Sequence, residues 1–318
     1  MRRYAFTIIL LAVTLILSGQ QSCTTGQNNE AGVGPYIGGT EGLGIAFLDD
    51  APPLSGNFQG DQIPLEVELT NNGETNVDTN VAVVNLIGVV MGGDFELTKA
   101  NGQANNIGPM ERIRNAGDVP SSDFVNLGTA KLKDSKPIGP SWSPNVRAQV
   151  CYPYSTSLQI ANLCIPGDRR ETGTIECEID NAENLVNKGD VSGAPVQVTS
   201  VVESRTGTGV RVRLDIENVG GGSIINLPCS NAVNVPPIEN RDIVSVSVPD
   251  GYNCLFSDGA SGTSGIVELR TNKGRLICTR DIGGTGKSYL DRFTGTLTYN
   301  YVEGISKTIL IQSRTANL

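Results

Sequence analysis

The amino-acid sequence predicts an all-β chain built as two tandem antiparallel sandwiches. Three observations carry that reading: apolar and polar residues alternate with period two in many short runs, turn residues punctuate the runs, and one strand motif occurs twice. In VRVRLDIENVGGG, Val210, Val212, Leu214 and Ile216 point one way, whereas Arg211, Arg213, Asp215 and Glu217 point the other. LEVELTNNGE repeats the arrangement, with Leu65, Val67 and Leu69 inward and Glu66 and Glu68 outward. Asn71 matches Asn218 and Gly73 matches Gly220 at one common offset of 147 residues, which predicts two copies of one module. The glycines are expected to supply positive φ and the asparagines to bond their own backbone.

The N-terminus, MRRYAFTIILLAVTLILSGQQSC, sets Arg2 and Arg3 before an uncharged, almost wholly apolar stretch of 14 residues, Tyr4 to Leu17. This is the layout of an export signal over residues 1–22, and the run is shorter than the ~20 residues of a spanning helix, so cleavage is expected. Leu17, Ser18 and Gly19 resemble the start of a lipobox, but Gln20, Gln21 and Ser22 intervene before Cys23. Cys23 stands apart from the other cysteines and heads a polar stretch, residues 23–40, that reads as a flexible tether. Cys23 is therefore expected to carry a lipid anchor, which needs two acyl chains to hold firmly.

The first sandwich is expected over residues 41–180, with strands near 43–48, 63–70, 79–89, 144–153 and 155–164. Residues 99–142, rich in Asn, Gly, Pro and Ser, read as a long irregular insertion. The polar stretch NAENLVNKGDVSGAP places a linker at 181–194. The second sandwich, 195–318, reads as strands near 196–204, 210–218, 223–228, 242–249, 266–271, 275–280, 292–302 and 305–312, with turns at PDG, TNKG and VEG. Short strands at that density fit an immunoglobulin-like sandwich, its core lined by Val244, Val246, Val248, Phe293, Leu297 and Tyr299.

Cys151, Cys164, Cys177, Cys229, Cys254 and Cys278 read as disulfides in an exported chain. Six cysteines allow 15 connectivities, and the sequence leaves the choice open. Three fall on each side of residue 190, so either Cys177 bonds into the second sandwich or the modules are bridged elsewhere. A tie across the junction would suit a rigid spacer better than a clamp. No C-x-x-C and no N-x-[ST] sequon occurs.

Composition narrows function. The net charge is −9 and Lys and Arg never cluster, which argues against nucleic-acid partners. Histidine is absent, which excludes Ser-His-Asp and Cys-His catalysis and the usual zinc and non-haem iron sites. No S-x-x-K is present. GGTGKS looks like a phosphate-binding loop, but Asp281 holds the first glycine position and a strand pattern, not a helix, follows. It reads as a turn with Lys287 in solvent, and neither nucleotide nor any other cofactor or metal is expected.

The segments IPLEVELTNNGETNVD and VRVRLDIENVGGGSIIN resemble strands of CARDB-like modules, immunoglobulin-like sandwiches of bacterial and archaeal surfaces. YIGGTEGLGIAF, the N-x-G strand, CYPYSTSLQIANLCI, GAPVQVT and the late cysteines together resemble an uncharacterised family of exported archaeal proteins. The resemblance implies a surface-anchored, two-sandwich architecture and carries no activity. The expectation is a non-enzymatic, membrane-anchored surface or envelope protein whose partners are other envelope or extracellular proteins. The alternatives are a glycan-active enzyme using carboxylates such as Asp49, Asp50 or Asp94, and an adhesin holding calcium near Asp49, Asp50 or Asp258. Trp142, in GPSWSPN, reads as a packing residue in a turn.

Overall fold

The computed structural model describes residues 34–88, 93–168, 175–179, 183–231, 242–283 and 286–314. The expected export segment and Cys23 lie outside these residues. In the first half the strands are β1 (Leu43–Phe47), β2 (Asn57–Phe58), β3 (Gln62–Asn71), β4 (Val83–Ile87), β5 (Phe95–Leu97), β6 (Ser121–Leu132), β7 (Ser141–Trp142) and β8 (Asn145–Ile165). They are followed by β9 (Val196–Arg205), β10 (Gly209–Asn218), β11 (Ser223–Ile225), β12 (Ile243–Ser247) and β13 (Asn253–Leu255). The last are β14 (Ser261–Gly262), β15 (Ser264–Glu268), β16 (Lys273–Asp281), β17 (Tyr289–Thr308) and β18 (Ile311–Gln312).

Alternation forces each long strand to bury one face. Leu65, Val67 and Leu69 in β3 and Val210, Val212, Leu214 and Ile216 in β10 are each at most 1% exposed. At about 1.5–3 kcal/mol per fully buried aliphatic side chain, these two strands are strongly fixed in register. Each runs antiparallel between two neighbours, giving the orders β1-β3-β6-β5 and β9-β10-β16-β13-β14. β3 and β10 also begin and end 147 residues apart, so the duplication expected from N-x-G extends to whole strands. Both outer sheets face one long sheet, β15-β12-β17-β8-β4, with β11 also on β17. A small sheet, β2-β18-β7, closes one end.

The chain is thus all-β, two antiparallel sandwiches, but they are not joined as beads. Residues 144–164 were expected as two strands and form one, β8, of 21 residues; β17, with 20, continues through VEG, where a turn was expected. The two pair along their length. Pro153 lies opposite Asn300, and these residues are themselves 147 apart, so an approximate two-fold axis relating the repeats passes through that pair. On one side of the axis β8 and β17 belong to the first sandwich, on the other to the second.

Val33–Leu318 forms one compact unit, and the stretch 181–194 expected as a linker lies within it. Within the expected linker, Asp190, Val191, Ser192 and Ala194 are buried. Residues 34–40, expected as tether, are docked: Gly34 N donates to Lys188 O at 3.1 Å and Tyr36 N to Gly189 O at 3.0 Å. The Glu74 carboxylate accepts from Ile37 N, Gly38 N and Gly193 N at 3.0, 2.9 and 2.6 Å, clasping both segments. The 99–142 segment is not wholly irregular, since it contains β6. Val125, Leu127, Ala130 and Leu132 of β6 are buried, and Gly128, at φ +89°, shifts the alternation between the two pairs.

Candidate binding groove at the two-fold axis

Each repeat carries the same buried latch. In the first, Tyr154 OH donates to Asn71 Oδ1 at 3.1 Å and accepts from Thr75 N at 3.3 Å, while Asn71 Nδ2 donates to Thr75 O at 2.8 Å. In the second, Tyr301 OH donates to Asn218 Oδ1 at 3.0 Å and accepts from Gly222 N at 2.8 Å, while Asn218 Nδ2 donates to Gly222 O at 3.1 Å. Burial raises the pKa of both phenols, that of Tyr301 to about 12, so both hydroxyls keep their protons as donors. The sequence reading found the N-x-G half of this latch and missed the tyrosines. The signal was present: Y-x-Y at 152–154 recurs at 299–301 with the same offset of 147.

The latch also explains the glycines, though not as expected. Neither Gly73 nor Gly220 is among the glycines with positive φ. A Cβ at Gly73 would lie 2.2 Å from Tyr154 OH, 2.5 Å from Glu41 O and 2.7 Å from Gly193 O. At Gly220 it would lie 2.4 Å from Tyr301 OH and 2.7 Å from Pro195 Cβ. Close approach, not backbone conformation, excludes a side chain.

On the opposite, outer face of the shared sheet the two repeats part company. On one side of the axis β11 pairs with residues 300–302 of β17, and the disulfide Cys151–Cys229 packs with Val83, Ile225 and Val302 into a sealed apolar cluster. The equivalents of Cys151, Cys229 and Val302 in the other repeat are Thr298, Ala82 and Ser155, so no such disulfide can form there. Residues 76–78, equivalent to β11, do not pair with β8; Thr75 Oγ1 donates to Ser155 O at 2.7 Å, and Val77 pairs with Met110. The result is an open groove of about 430 Å3. Its floor is Pro153, Ser155, Thr298 and Asn300; Thr75, Asn76, Asp78 and Val81 wall one side, and Ile225, Asn226, Ile243 and Ser245 the other. Among the described residues Asp78 is its one charged lining residue.

A second cavity, about 370 Å3, lies beside the Cys164–Cys177 disulfide. Near it Glu203 is 3% exposed and its Oε2 accepts from Cys164 N at 2.8 Å. Burial pushes the Glu203 carboxyl up to about 7, against the lowering by that hydrogen bond and with a further rise from the charge of Glu183.

The cysteines resolve the connectivity. Cys177 stays with Cys164, Cys254 bonds Cys278 across β13 and β16, and Cys151–Cys229 ties the halves. The carboxylates named as enzyme or calcium candidates are scattered. Asp49 and Asp50 are exposed, Asp94 pairs with Lys136 at 2.9 Å, and Asp258 Oδ1 accepts from Ala260 N at 3.0 Å. Among the described residues no three His, Cys, Asp or Glu side chains gather as metal ligands. Trp142 stacks on Phe95 at 5.9 Å beneath Lys136. Lys287 is exposed, two residues before β17, and Gly283 N donates to Asp281 Oδ1 at 2.9 Å across the turn. Gly284 and Thr285 lie outside the described residues.

No family model matches the chain, and no curated protein matches it. Among solved structures, the secreted serine protease VesC of Vibrio cholerae aligns at 8% identity and TM-score 0.19, over 83% of this chain and 51% of its own, so this chain spans about half its length. The collagen-binding domain of the Erysipelothrix rhusiopathiae surface protein RspB aligns at 8% identity and TM-score 0.12, over 85% and 97% of the two chains. The Enterococcus faecalis MSCRAMM ACE, which binds its ligands by the collagen hug, aligns at 6% identity and TM-score 0.09, over 87% and 96%.

Proposed function

We propose that this chain is an exported, non-enzymatic surface protein that holds a binding face as one rigid body for partners among envelope or extracellular proteins. The carrying observation is the sharing of β8 and β17 by both sandwiches, closed by the Cys151–Cys229 bridge. Such a connection leaves no hinge between modules, as a spacer or display scaffold requires. Three disulfides favour an oxidising compartment, in keeping with the export layout of residues 1–22. Cys23 and the polar residues after it would supply a membrane anchor and a short reach from it.

Mass spectrometry of the mature N-terminus from fractionated cells is the first test, and a diacylated Cys23 in the envelope fraction is the expected result. Recovery of the unprocessed chain from the cytoplasm would sink the reading. So would an envelope pull-down that recovers nothing, combined with a deletion strain unaltered in envelope integrity and attachment.

A further inference from the structure

We infer that the groove over Ser155 and Thr298 is a binding site for an extended peptide segment carrying basic side chains. The inference rests on reading the chain as a protein-binding scaffold and adds where the partner sits and what chemistry it brings.

The symmetry between the repeats is broken at this surface. The module has a way to cover this surface, and uses it on the other side of the axis: β11 pairs onto the sheet and Cys151–Cys229 seals it. On the groove side every element of that cover is replaced. Cys gives way to Thr298 and Ala82, apolar Val302 to Ser155, and the pairing strand to a loop held off by Thr75. The exposed floor is hydroxyl and amide where its twin is sulfur and aliphatic carbon.

The floor matches the geometry of an extended chain. Ser155 faces Thr298 and Pro153 faces Asn300, two successive rungs of the same sheet face. Rungs two residues apart are separated by about 7 Å, the spacing of alternate side chains in an extended peptide. The walls present hydroxyls and amides, from Thr75, Asn76, Asn226 and Ser245, that can bond a peptide backbone, with Val81 and Ile243 to receive apolar groups. The cavity lies within the ~300–1,000 Å3 typical of ligand sites.

Charge selects among such chains. Among the described residues Asp78 is the one charged lining residue and no Lys or Arg lines the groove, and the chain carries a net charge of −9. Acidic ligands are repelled and basic ones attracted. The nearby rings, Tyr154 and Tyr299, are 3% and 7% exposed, so no open aromatic face is offered for sugar stacking.

The test uses the purified mature protein and three labelled peptides about ten residues long, alternating Val or Thr with Lys, Gln or Glu. Fluorescence anisotropy is expected to rank them Lys above Gln above Glu. Thr298→Arg, which fills the floor with a like charge, should weaken the Lys peptide about tenfold or more. Thr296→Arg, on the same face but outside the lining, should leave it within about twofold. Asp78→Asn should erase the preference for Lys over Gln, and unchanged melting temperatures confirm that the variants are folded. The inference is overturned if no peptide binds, if both arginine variants weaken binding equally, or if a neutral oligosaccharide binds in place of the peptides. Retention of envelope partners by Thr298→Arg in a pull-down would reject the groove while leaving the surface-scaffold reading intact.

Discussion

The two sides of the shared sheet about Pro153 and Asn300 begin from equivalent sequence and end in opposite surfaces. Both keep the Asn-Tyr latch on the inner face, with hydrogen bonds of matching pattern. On the outer face one side is stapled and apolar, the other open and hydroxylated. The difference teaches that inner-face residues are held by a packing need common to both repeats, whereas the outer face was free to diverge. Divergence confined to one face of a strand pair separates what the fold requires from what it can spare.

The largest test of that separation removes the staple. Cys151–Cys229 closes a span of 78 residues, and on the chain-entropy model its loss costs about 4.5 kcal/mol. Cys164–Cys177 closes only 13, for which the same model gives about 3 kcal/mol. Denaturant midpoints of Cys151→Ala/Cys229→Ala and Cys164→Ala/Cys177→Ala should fall in that order, and the reverse order would deny the inter-half staple its leading role.

Next are the latch glycines. Gly73→Ala forces a methyl against two backbone carbonyls as well as Tyr154 OH, and should cost about 3 kcal/mol. Gly220→Ala meets Tyr301 OH and the Pro195 ring, which can shift, and should cost less. Equal losses in calorimetry would mean that the backbone contacts at Gly73 relax.

Tyr154→Phe and Tyr301→Phe each remove a buried hydroxyl, at about 1–2 kcal/mol apiece. Here the two repeats should agree, and a disparity in urea unfolding beyond about 1 kcal/mol would break the claimed equivalence of the latches.

A pH-dependent effect concerns Glu203, which has no counterpart latch. Its folded-state pKa, about 7, lies above the ordinary carboxyl value of 4.5, so the native state binds the extra proton. Stability from this group is therefore present at low pH and declines as pH rises from about 4.5 to about 7, levelling above that. The melting temperature of wild type minus that of Glu203→Gln should fall through this window; a flat difference would mean that the carboxylate is solvated.

Strand content was legible because alternation is local: the buried sets of β3 and β10 can be read residue by residue. β6 was not, because Gly128 breaks the phase in the middle of SSDFVNLGTAKL and the flanks are turn-rich. The unity of β8 was hidden by Pro153, a residue that normally interrupts a central strand. It is tolerated at the axis, where β4 pairing has stopped at Cys151 and the side facing the groove is open. The groove itself could not be read, since its floor comes from strands joined only by long-range pairing. Its sequence trace is a set of mismatches between repeats, Cys151 against Thr298 and Val302 against Ser155, visible only once the offset and the register are both known.

The pairing of β8 with β17 also sets an order of events at synthesis. The first sandwich takes strand residues 301–308 from near the end of the chain, and the second takes 154–165 from its middle. Neither module can complete its sheet until nearly the whole polypeptide has emerged, so the usual advantage of tandem modules, folding one at a time as they appear, is forfeited. A chain crossing a membrane in the unfolded state would then carry an exposed edge of β8 until its last strand arrives. Under the proposed export, the chain should accordingly depend more on folding factors beyond the membrane than two independent sandwiches of the same size.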